Sequence, residues 1–258
     1  MKIIILAAGR GERLMPLTQN TPKPLIDMGN GNTLLEEQLL SIQQSGAIDE
    51  VVLVVGYLAD QIEAKMRIYR ERGFKVRTLF NPFWQVSNNL LSLWLARQVI
   101  AEDDVMITNG DNIFSADVFA GLVAQGEGIW LSACLKSEFD ADDMKITFNN
   151  GLVERVSKQI SQELASAESP GLALVRGERA RELLLEQLDG LVRESDNLNR
   201  FWLEIFNRLW SKGVSVQPWM FESQGKWQEV DFHLDVKRVR NLLAEKLMSL
   251  HGSPSHEN

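Results

Sequence analysis

Cysteine and histidine are scarce in this chain, which has one cysteine and three histidines among 258 residues. The single Cys134 excludes an internal disulfide and is typical of a protein of the reducing cytoplasm. His251 and His256 lie at the C-terminal end, so no Cys/His cluster suits zinc, and a Ser/His/Asp hydrolytic site is poorly supported. His233 is expected to cap or pack rather than to act as a base.

The chain also lacks long apolar runs and an excess of positive charge. No segment approaches the roughly 18 consecutive apolar residues that a membrane-spanning helix requires, and the N-terminus has no cleavage-type region of a signal peptide. A net charge of -8 argues against a nucleic-acid partner. We therefore expect a cytoplasmic protein without membrane insertion.

What the first half does contain is an alternation of strand-like and helix-like segments. Apolar runs typical of strands and stretches with helical spacing follow one another, which predicts right-handed crossovers and a parallel sheet. The predicted strands are 2–6, 50–56, 75–81 and 104–111, and the predicted helices are 32–46, 57–73 and 88–100.

Beyond residue 129 the pattern becomes more antiparallel. Short strands are predicted at 129–135, 145–150 and 151–157, with a hairpin turn at Asn149-Asn150-Gly151. Helices return at 177–190, 197–213 and 234–250. We predict one α/β domain over 1–250, with a nucleotide-binding part at 1–128, an acceptor-binding part at 129–250 and a flexible tail at 251–258.

A glycine-rich turn, LAAGRGERLMPLTQNTPKPL at 6–25, follows the first predicted strand. Such a turn commonly binds phosphate, because glycine lets backbone N–H groups approach an anion. Leu14 stands where the dinucleotide fingerprint needs its third glycine, and the P-loop pattern is absent.

The same stretch resembles the signature of the nucleotidyltransferase superfamily with a glycosyltransferase-A-like fold, through Gly9, Gly11, Arg13 and Pro22-Lys23-Pro24. These enzymes transfer a nucleotidyl group from a nucleoside triphosphate to a sugar phosphate or an alcohol phosphate. The resemblance implies a Rossmann-like α/β fold, in which a mixed, mainly parallel sheet is flanked by helices and a smaller C-terminal part covers the acceptor.

The residue types suit the chemistry that the resemblance implies. The guanidinium of Arg13 matches the oxygens of the departing β- and γ-phosphates, and Lys23 suits the α-phosphoryl group as a compact charge. By resemblance, the nucleotide would also be bound by Leu6, Ala8, Gly9, Gly11 and Gly110.

Two aspartates are candidate ligands for Mg²⁺, which prefers oxygen ligands and accompanies nucleotide phosphates. Asp111 follows a predicted buried strand and matches the superfamily's Gly-Asp metal site. Asp231 resembles the second metal aspartate, and alternation along Glu229-Val230-Asp231 places Glu229 on the same face. Each acid has an alternative role as a cap or turn residue. The pairs Asp103-Asp104 and Asp142-Asp143 are typical of solvated turns.

The stretch NPFWQVSNNLLSLWLA at 81–96 resembles bacterial phosphocholine and phosphonate cytidylyltransferases. This resemblance implies that the pyrimidine of CTP is recognised by Asn81, Asn88, Asn89 and Ser92. Asn88 and Asn89 have the alternative role of helix caps.

For the acceptor, aromatic faces with a nearby acid would hold a trimethylammonium group. The expected acceptor-binding residues are Trp202, Trp227 and Glu229, whereas Trp94 and Trp210 have the spacing of core residues.

The function expected from these observations is transfer of CMP from CTP to a phosphocholine-like phosphorylated alcohol or a phosphonate, with release of pyrophosphate, for modification of a surface polymer or lipid. One alternative is a sugar-1-phosphate uridylyl- or thymidylyltransferase, which a panel of nucleotides would distinguish. A second is a non-catalytic nucleotide-binding domain, which would bind CTP without releasing pyrophosphate. The apolar C-terminal helix could contribute to a homodimer.

Overall fold

The computed structural model describes residues 1–250, and these residues form twelve strands and eight α-helices. The strands are β1 (Lys2–Ala7), β2 (Glu50–Val55), β3 (Val76–Phe80), β4 (Val105–Asn109), β5 (Asn112–Phe114), β6 (Gly128–Ala133), β7 (Lys145–Asn149), β8 (Leu152–Ser157), β9 (Ala167–Glu168), β10 (Leu172–Arg176), β11 (Gln217–Met220) and β12 (Trp227–Glu229). The helices are α1 (Leu34–Ser45), α2 (Ala59–Glu71), α3 (Asn89–Leu95), α4 (Arg97–Glu102), α5 (Ala116–Val123), α6 (Glu178–Val192), α7 (Glu204–Ser211) and α8 (His233–Leu250). Short 3₁₀ helices occur at Glu12–Leu14, Lys23–Leu25 and Ser195–Asn197.

A seven-stranded sheet in the order β11-β6-β10-β4-β1-β2-β3 forms the centre of the molecule. Strands β1 to β4 pair in parallel with one another, and β11 is parallel to β6. Strand β10 runs antiparallel to both of its neighbours, β4 and β6. The expected mixed, mainly parallel sheet is confirmed. Two smaller antiparallel sheets have the orders β8-β7-β9 and β12-β5.

The apolar run of β1 explains its central place, because both faces of the strand are covered. Ile3 and Ile5 pack in a cluster that includes residues of α1, α2 and α5. Ile4 and Leu6 pack on the other face, against residues of α3, α4, α6 and α7. Alternate side chains of a strand point to opposite faces, so a continuous apolar sequence is required wherever helices lie on both sides.

The local signals near α1 and in the β7–β8 hairpin have the expected effects. Thr33 and Glu36 form a reciprocal capping box at the start of α1, and Gly46 ends the helix with a φ of 61°. Asn150 and Gly151 have φ values of 50° and 79° and join β7 to β8. Two positive φ angles give the turn the twist that an antiparallel hairpin requires.

Three features differ from the expectations, and the first is the predicted helix 197–213, of which only α7 at Glu204–Ser211 is α-helical. The predicted helix 88–100 is interrupted at Ala96, whose φ of -87° and ψ of 7° separate α3 from α4. Strand β10 and helix α5 were not expected, because the short apolar run of β10 lies between turn residues and has no periodicity of its own. The predicted tail 251–258, with His251 and His256, lies outside the described residues. Within 1–250, no helix is long and apolar enough to cross a lipid bilayer.

Candidate active site

The polar residues of the strand ends meet at one edge of the large sheet. The carboxyl ends of the parallel strands β1 to β4 and the amino end of the antiparallel β10 all lie there, and a cavity of about 430 Å³ opens between them. Every residue predicted for the site lines this cavity: Leu6, Ala8, Gly9, Gly11, Arg13, Lys23, Asn81, Asn88, Asn89, Ser92, Gly110, Asp111, Trp202, Trp227, Glu229 and Asp231. The structure thus gathers them in one place, and their individual roles remain predictions.

The glycine-rich turn forms the wall of the cavity beyond β1. A Cβ atom added to Gly9 would meet no described atom within 4 Å, so its backbone borders open space. Gly11 has a φ of 68°, and an added Cβ would lie 3.1 Å from the Cβ of Lys23. Gly11 therefore allows a left-handed turn that packs closely on the lysine.

The remainder of this stretch is fixed by the end of the chain. Leu14 and Ile26 are buried in a third apolar cluster together with Val236 and Val239 of α8. The guanidinium of Arg240 donates two hydrogen bonds to the carbonyl of Asp27. Helix α8 consequently holds the segment that carries Arg13 and Lys23.

Lys23 lies between the two candidate metal aspartates. Its side chain is only 11% exposed, and its Nζ donates to Asp111 Oδ2 at 2.9 Å and to Asp231 Oδ1 at 2.8 Å. Burial alone would lower the pKa of Lys23, but the two carboxylates outweigh it and hold this pKa above its ordinary value. Lys23 therefore stays charged.

Arg13 completes the pairing of Asp231. Its guanidinium donates to Asp231 Oδ2 and lies 3.2 Å from Asp142 Oδ2. Burial would raise the pKa of Asp231, but Lys23 and Arg13 hold it below its ordinary value of 3.8. Asp231 is thus ionised at neutral pH.

Asp111 has a free acceptor. Its Oδ1 atom is buried and has no hydrogen-bond partner among the described residues, whereas its Oδ2 atom accepts from Lys23. A buried carboxylate oxygen without a partner is costly unless a ligand satisfies it. Asp111 itself lines the cavity, so a cation bound there would satisfy this oxygen.

Glu229 differs from its two acidic neighbours. It borders the cavity, but the surrounding protein reduces its hydration, and this desolvation with the negative charges of Asp111 and Asp231 raises the pKa of Glu229 to about 8. The direction of this shift favours the protonated form of Glu229, in contrast to the ionised Asp231.

The asparagines predicted to read the base are largely engaged within the protein. Asn81 is 1% exposed, donates to Ser92 Oγ at 3.0 Å and accepts from the backbone N–H of Phe83. Asn88 is the N-cap residue of α3. Asn89 Oδ1 accepts from the backbone N–H of Trp202 at 2.7 Å. These side chains shape the cavity and attach the 198–202 segment to it, so base recognition by their side chains is not evident in the structure.

The expected aromatic cage requires a correction at Trp202. Trp202 is 1% exposed, its ring packs edge-on against Phe206, and its Nε1 donates to Asn109 Oδ1 at 2.9 Å. No broad ring face is therefore open to an acceptor. The preceding Phe201 lines the cavity and is 43% exposed. Trp227 is half-buried and donates to Asn112 Oδ1.

Sequence reasoning missed the residues on the far side of the cavity. Asp142 lines the site instead of forming only a solvated turn, and Lys158 at the end of β8 lies beside it. Lys158 Nζ is 2.9 Å from Asp142 Oδ1 and 5.2 Å from the centre of the Phe201 ring. Their proximity depends on how the small sheet packs against the turn, which residue spacing does not reveal.

Glu168 is a second missed residue, at the end of β9. Burial, and then the charge of Asp143, raise the pKa of Glu168 to about 7, although Lys136 lies 3.2 Å away and opposes the shift. This part of the cavity thus contains a buried carboxyl group whose pKa is raised towards neutrality. A lone glutamate in a short polar segment gives no sequence signal for this environment.

Comparison with known proteins gives a consistent result. Residues 2–127 match the family of nucleotidyl transferases. A choline-phosphate cytidylyltransferase of Streptococcus pneumoniae is 37% identical over 119 residues, which cover 46% of this chain and 48% of that protein. The aligned stretch thus spans about half the length of that relative. A 2-aminoethylphosphonate cytidylyltransferase of Lancefieldella rimae is 27% identical over 228 residues, covering 83% of each chain.

Solved structures share the fold over nearly the whole chain. The CTP:phosphocholine cytidylyltransferase of Streptococcus pneumoniae matches with a TM-score of 0.73 at 23% identity, covering 94% of this chain and 98% of that one. A glucose-1-phosphate thymidylyltransferase, described as putative, of Bacillus anthracis matches with a TM-score of 0.74 at 20% identity, covering 94% of each. The resemblance to nucleotidyltransferases and the expected fold are confirmed.

Proposed function

We propose that this chain, which matches the nucleotidyl transferase family over residues 2–127, transfers CMP from CTP to a small phosphorylated amino alcohol or an aminoalkylphosphonate and releases pyrophosphate. The product would serve the modification of a surface polymer or lipid. The observation that carries the proposal is the placement of Lys23 between Asp111 and Asp231, with Arg13 beside them, at the carboxyl edge of the sheet. This arrangement combines cations for phosphate with carboxylates for a metal.

The reaction is an exchange of bonds at the α-phosphorus of the nucleotide. An oxygen of the acceptor's phosphate or phosphonate forms a bond to this phosphorus, the bond to the bridging oxygen of the β-phosphate breaks, and that oxygen leaves with its electron pair on pyrophosphate. Charge increases on the leaving group, so fixed cations favour the transition state. Arg13 would bind the leaving phosphates, and Lys23 would bind the α-phosphoryl oxygens.

The donor set fits Mg²⁺. Within 1–250 no group of three or more acidic, His or Cys side chains is arranged to hold a metal. Mg²⁺ is commonly held by only one or two carboxylates, together with water and substrate phosphates. The unpartnered Asp111 Oδ1 and the ionised Asp231 would supply these ligands. The ion would neutralise phosphate charge and orient the triphosphate.

The choice of CTP and of a nitrogen-containing acceptor is supported by likeness. The stretch 81–96 resembles phosphocholine and phosphonate cytidylyltransferases, and the two relatives described above carry those activities in their names. On the acceptor side, the partly exposed ring of Phe201 and the carboxylate form of Glu168 line the cavity and would contact an ammonium group.

The test is pyrophosphate release with Mg²⁺, in which CTP, UTP, dTTP and ATP are each combined with phosphocholine, phosphoethanolamine, 2-aminoethylphosphonate and glucose 1-phosphate. Turnover with CTP and a nitrogen-containing acceptor is expected. Turnover restricted to UTP or dTTP with glucose 1-phosphate would instead identify a sugar-phosphate nucleotidyltransferase. Binding of CTP with no pyrophosphate release from any pair would indicate a non-catalytic domain.

Variants of the site residues, each with a matched control, test whether turnover depends on this site. Lys23→Ala and Asp111→Ala should each abolish turnover, because one removes a phosphate ligand and the other a metal ligand. Lys226→Ala is the control for the lysine, since Lys226 forms an ion pair with Asp117 outside the cavity. Full activity of the Lys23 and Asp111 variants would refute the mechanism.

A further inference from the structure

Six charged residues of alternating sign form a continuous row across the mouth of the cavity. In spatial order they are Asp111, Lys23, Asp231, Arg13, Asp142 and Lys158. Each neighbouring pair is an ion pair, and the longest of the five contacts is 3.2 Å. All six line the cavity. The row connects the end of β4 to the end of β8, and three positive charges balance three negative ones.

Asp142 differs from the other two acids of this row. Asp111 and Asp231 follow or precede secondary structure at the sheet edge and are candidate metal ligands, so a bound cation would take over their charge. Asp142 lies in the turn before β7, and it contacts Arg13 from one carboxylate oxygen and Lys158 from the other. A carboxylate that bridges two cations occupies the position that a phosphate oxygen would take between them.

From this geometry we infer that Asp142 neutralises Arg13 and Lys158 before substrates bind and competes with substrate phosphate for both cations. The inference rests on the proposed function in assigning phosphate to these cations. It adds that nucleotide binding on the Arg13 side and acceptor binding on the Lys158 side both displace the same carboxylate. Each substrate therefore removes part of the barrier that the other meets, and the two sites are coupled.

The expected size of this competition follows from the solvent exposure of the three side chains. The side chains of Asp142 and Arg13 are 50% and 44% exposed, and that of Lys158 is 27% exposed. Ion pairs at such positions contribute only about 0.2–1 kcal/mol each. Release of both cations should therefore tighten phosphate binding by about two- to 25-fold, since two such pairs together contribute about 0.4–2 kcal/mol and 1.4 kcal/mol corresponds to a factor of ten.

The experiment measures binding of inorganic tripolyphosphate without Mg²⁺, by titration calorimetry at low salt. Asp142→Asn removes the competing charge and keeps the size of the side chain. Asp140→Asn is the matched control, because Asp140 lies in the same turn, is 88% exposed and only approaches Lys136 at 4.0 Å. We expect Asp142→Asn to bind tripolyphosphate about two- to 25-fold more tightly than the unmodified protein, and Asp140→Asn to bind it equally.

Salt distinguishes competition from a change in shape. Ions at about 1 M screen charges beyond about 3 Å, so the difference between Asp142→Asn and the unmodified protein should shrink with added salt. Equal or weaker binding by Asp142→Asn at low salt, the same gain in Asp140→Asn, or a gain that salt does not reduce would each overturn the inference. Absence of measurable tripolyphosphate binding by all three proteins would overturn it as well.

Turnover measurements then test the coupling. In Asp142→Asn the KM values for nucleotide and acceptor should both fall, while kcat changes little, because Asp142 touches neither reacting bond. The tripolyphosphate result does not depend on which nucleotide or acceptor is used. Lack of pyrophosphate release from every substrate pair would thus refute the proposed function while leaving the competition at Asp142 intact.

Discussion

Replacement of Lys23 by methionine isolates the charge at the centre of the site. Methionine keeps a long unbranched side chain of similar shape, so packing beside Gly11 is largely preserved, while the ammonium group is lost. The variant leaves Asp111 and Asp231 facing each other without the cation that separates them.

The loss of stability can be bounded from the burial of the three groups. Removal of one partner from a buried ion pair costs about 3–5 kcal/mol. Lys23 is nearly buried, but the side chains of Asp111 and Asp231 are 23% and 27% exposed, and water compensates part of their charge. Arg13 also continues to pair with Asp231. We expect the free energy of unfolding to fall by about 2–3 kcal/mol, equivalent to about 4–12 °C in Tm for a chain of this size.

Chemical unfolding at pH 7 measures the loss of unfolding free energy, and thermal unfolding with and without Mg²⁺ measures the change in Tm. The freed carboxylates should bind Mg²⁺ more readily in Lys23→Met, so added Mg²⁺ should raise the Tm of the variant more than that of the unmodified protein. Lys226→Met, at an exposed ion pair with Asp117, is the matched control and should have much less effect.

The pH dependence of the stability difference between Lys23→Met and the unmodified protein is a second test of the charge balance. The pKa of Asp231 is held below 3.8 in the folded protein, so its ion pairs stabilise the fold above this value and lose their effect as the pH falls through the lower, folded pKa. The difference between Lys23→Met and the unmodified protein should accordingly be full at pH 7 and narrow below about pH 4. A variant as stable as the unmodified protein at pH 7, or one that Mg²⁺ does not stabilise further, would refute this account of the charge balance.

Three further predictions concern other parts of the cavity. Gly9→Ala should fold normally and weaken nucleotide binding, because a Cβ at this position meets open space. Gly56→Ala should be destabilised, because its Cβ would lie 2.6 Å from the carbonyl oxygen of Ala8. Thermal unfolding of both variants measures this difference in stability. Phe201→Ala should raise the KM for the acceptor with little loss of stability, because this ring is partly exposed. Trp202→Ala should lose about 3–5 kcal/mol of unfolding free energy, because its buried ring fills the core. Equal effects of the two variants on stability would contradict the structure. The pKa of Glu168 is raised from 4.5 to about 7 in the folded protein. The contribution of Glu168 to stability is therefore present below pH 4.5 and is lost as the pH rises through 7. Glu168→Gln should accordingly reduce the fall in unfolding free energy between pH 5 and pH 8 by about 1–3 kcal/mol. Identical pH profiles would show that Glu168 has an ordinary pKa.

The sheet could be predicted from the sequence, and so could the position of the candidate site residues at one edge of it, because both depend on local patterns. A continuous apolar run predicts a central strand, and parallel strands bring their carboxyl ends to one edge, which places Gly9 and Asp111 together whatever the rest of the chain does.

The contacts within the site depended on tertiary packing instead. Asn88 and Asn89 are the same type of residue and are adjacent in the sequence, yet their side chains have different roles. Asn88 caps α3, whereas Asn89 accepts a hydrogen bond from the backbone N–H of Trp202. Neighbouring Phe201 and Trp202 differ in exposure only because the docked segment turns one ring into the core. No periodicity in such a short segment specifies which ring faces inward.

The antiparallel strand β10 has a consequence for any attempt to divide or recombine this protein. It comes from the second half of the chain, yet it hydrogen-bonds directly to β4, which carries Asp111 at its end. A fragment that stops after residue 128 would expose the whole edge of β4, a ready template for association with other chains. A chimaera that exchanges the second half of the chain would have to reproduce the register of β10, in which Leu172 lies opposite Thr108 and Val175 opposite Val105. Variants of this protein are therefore more readily obtained by changing loops than by shuffling halves.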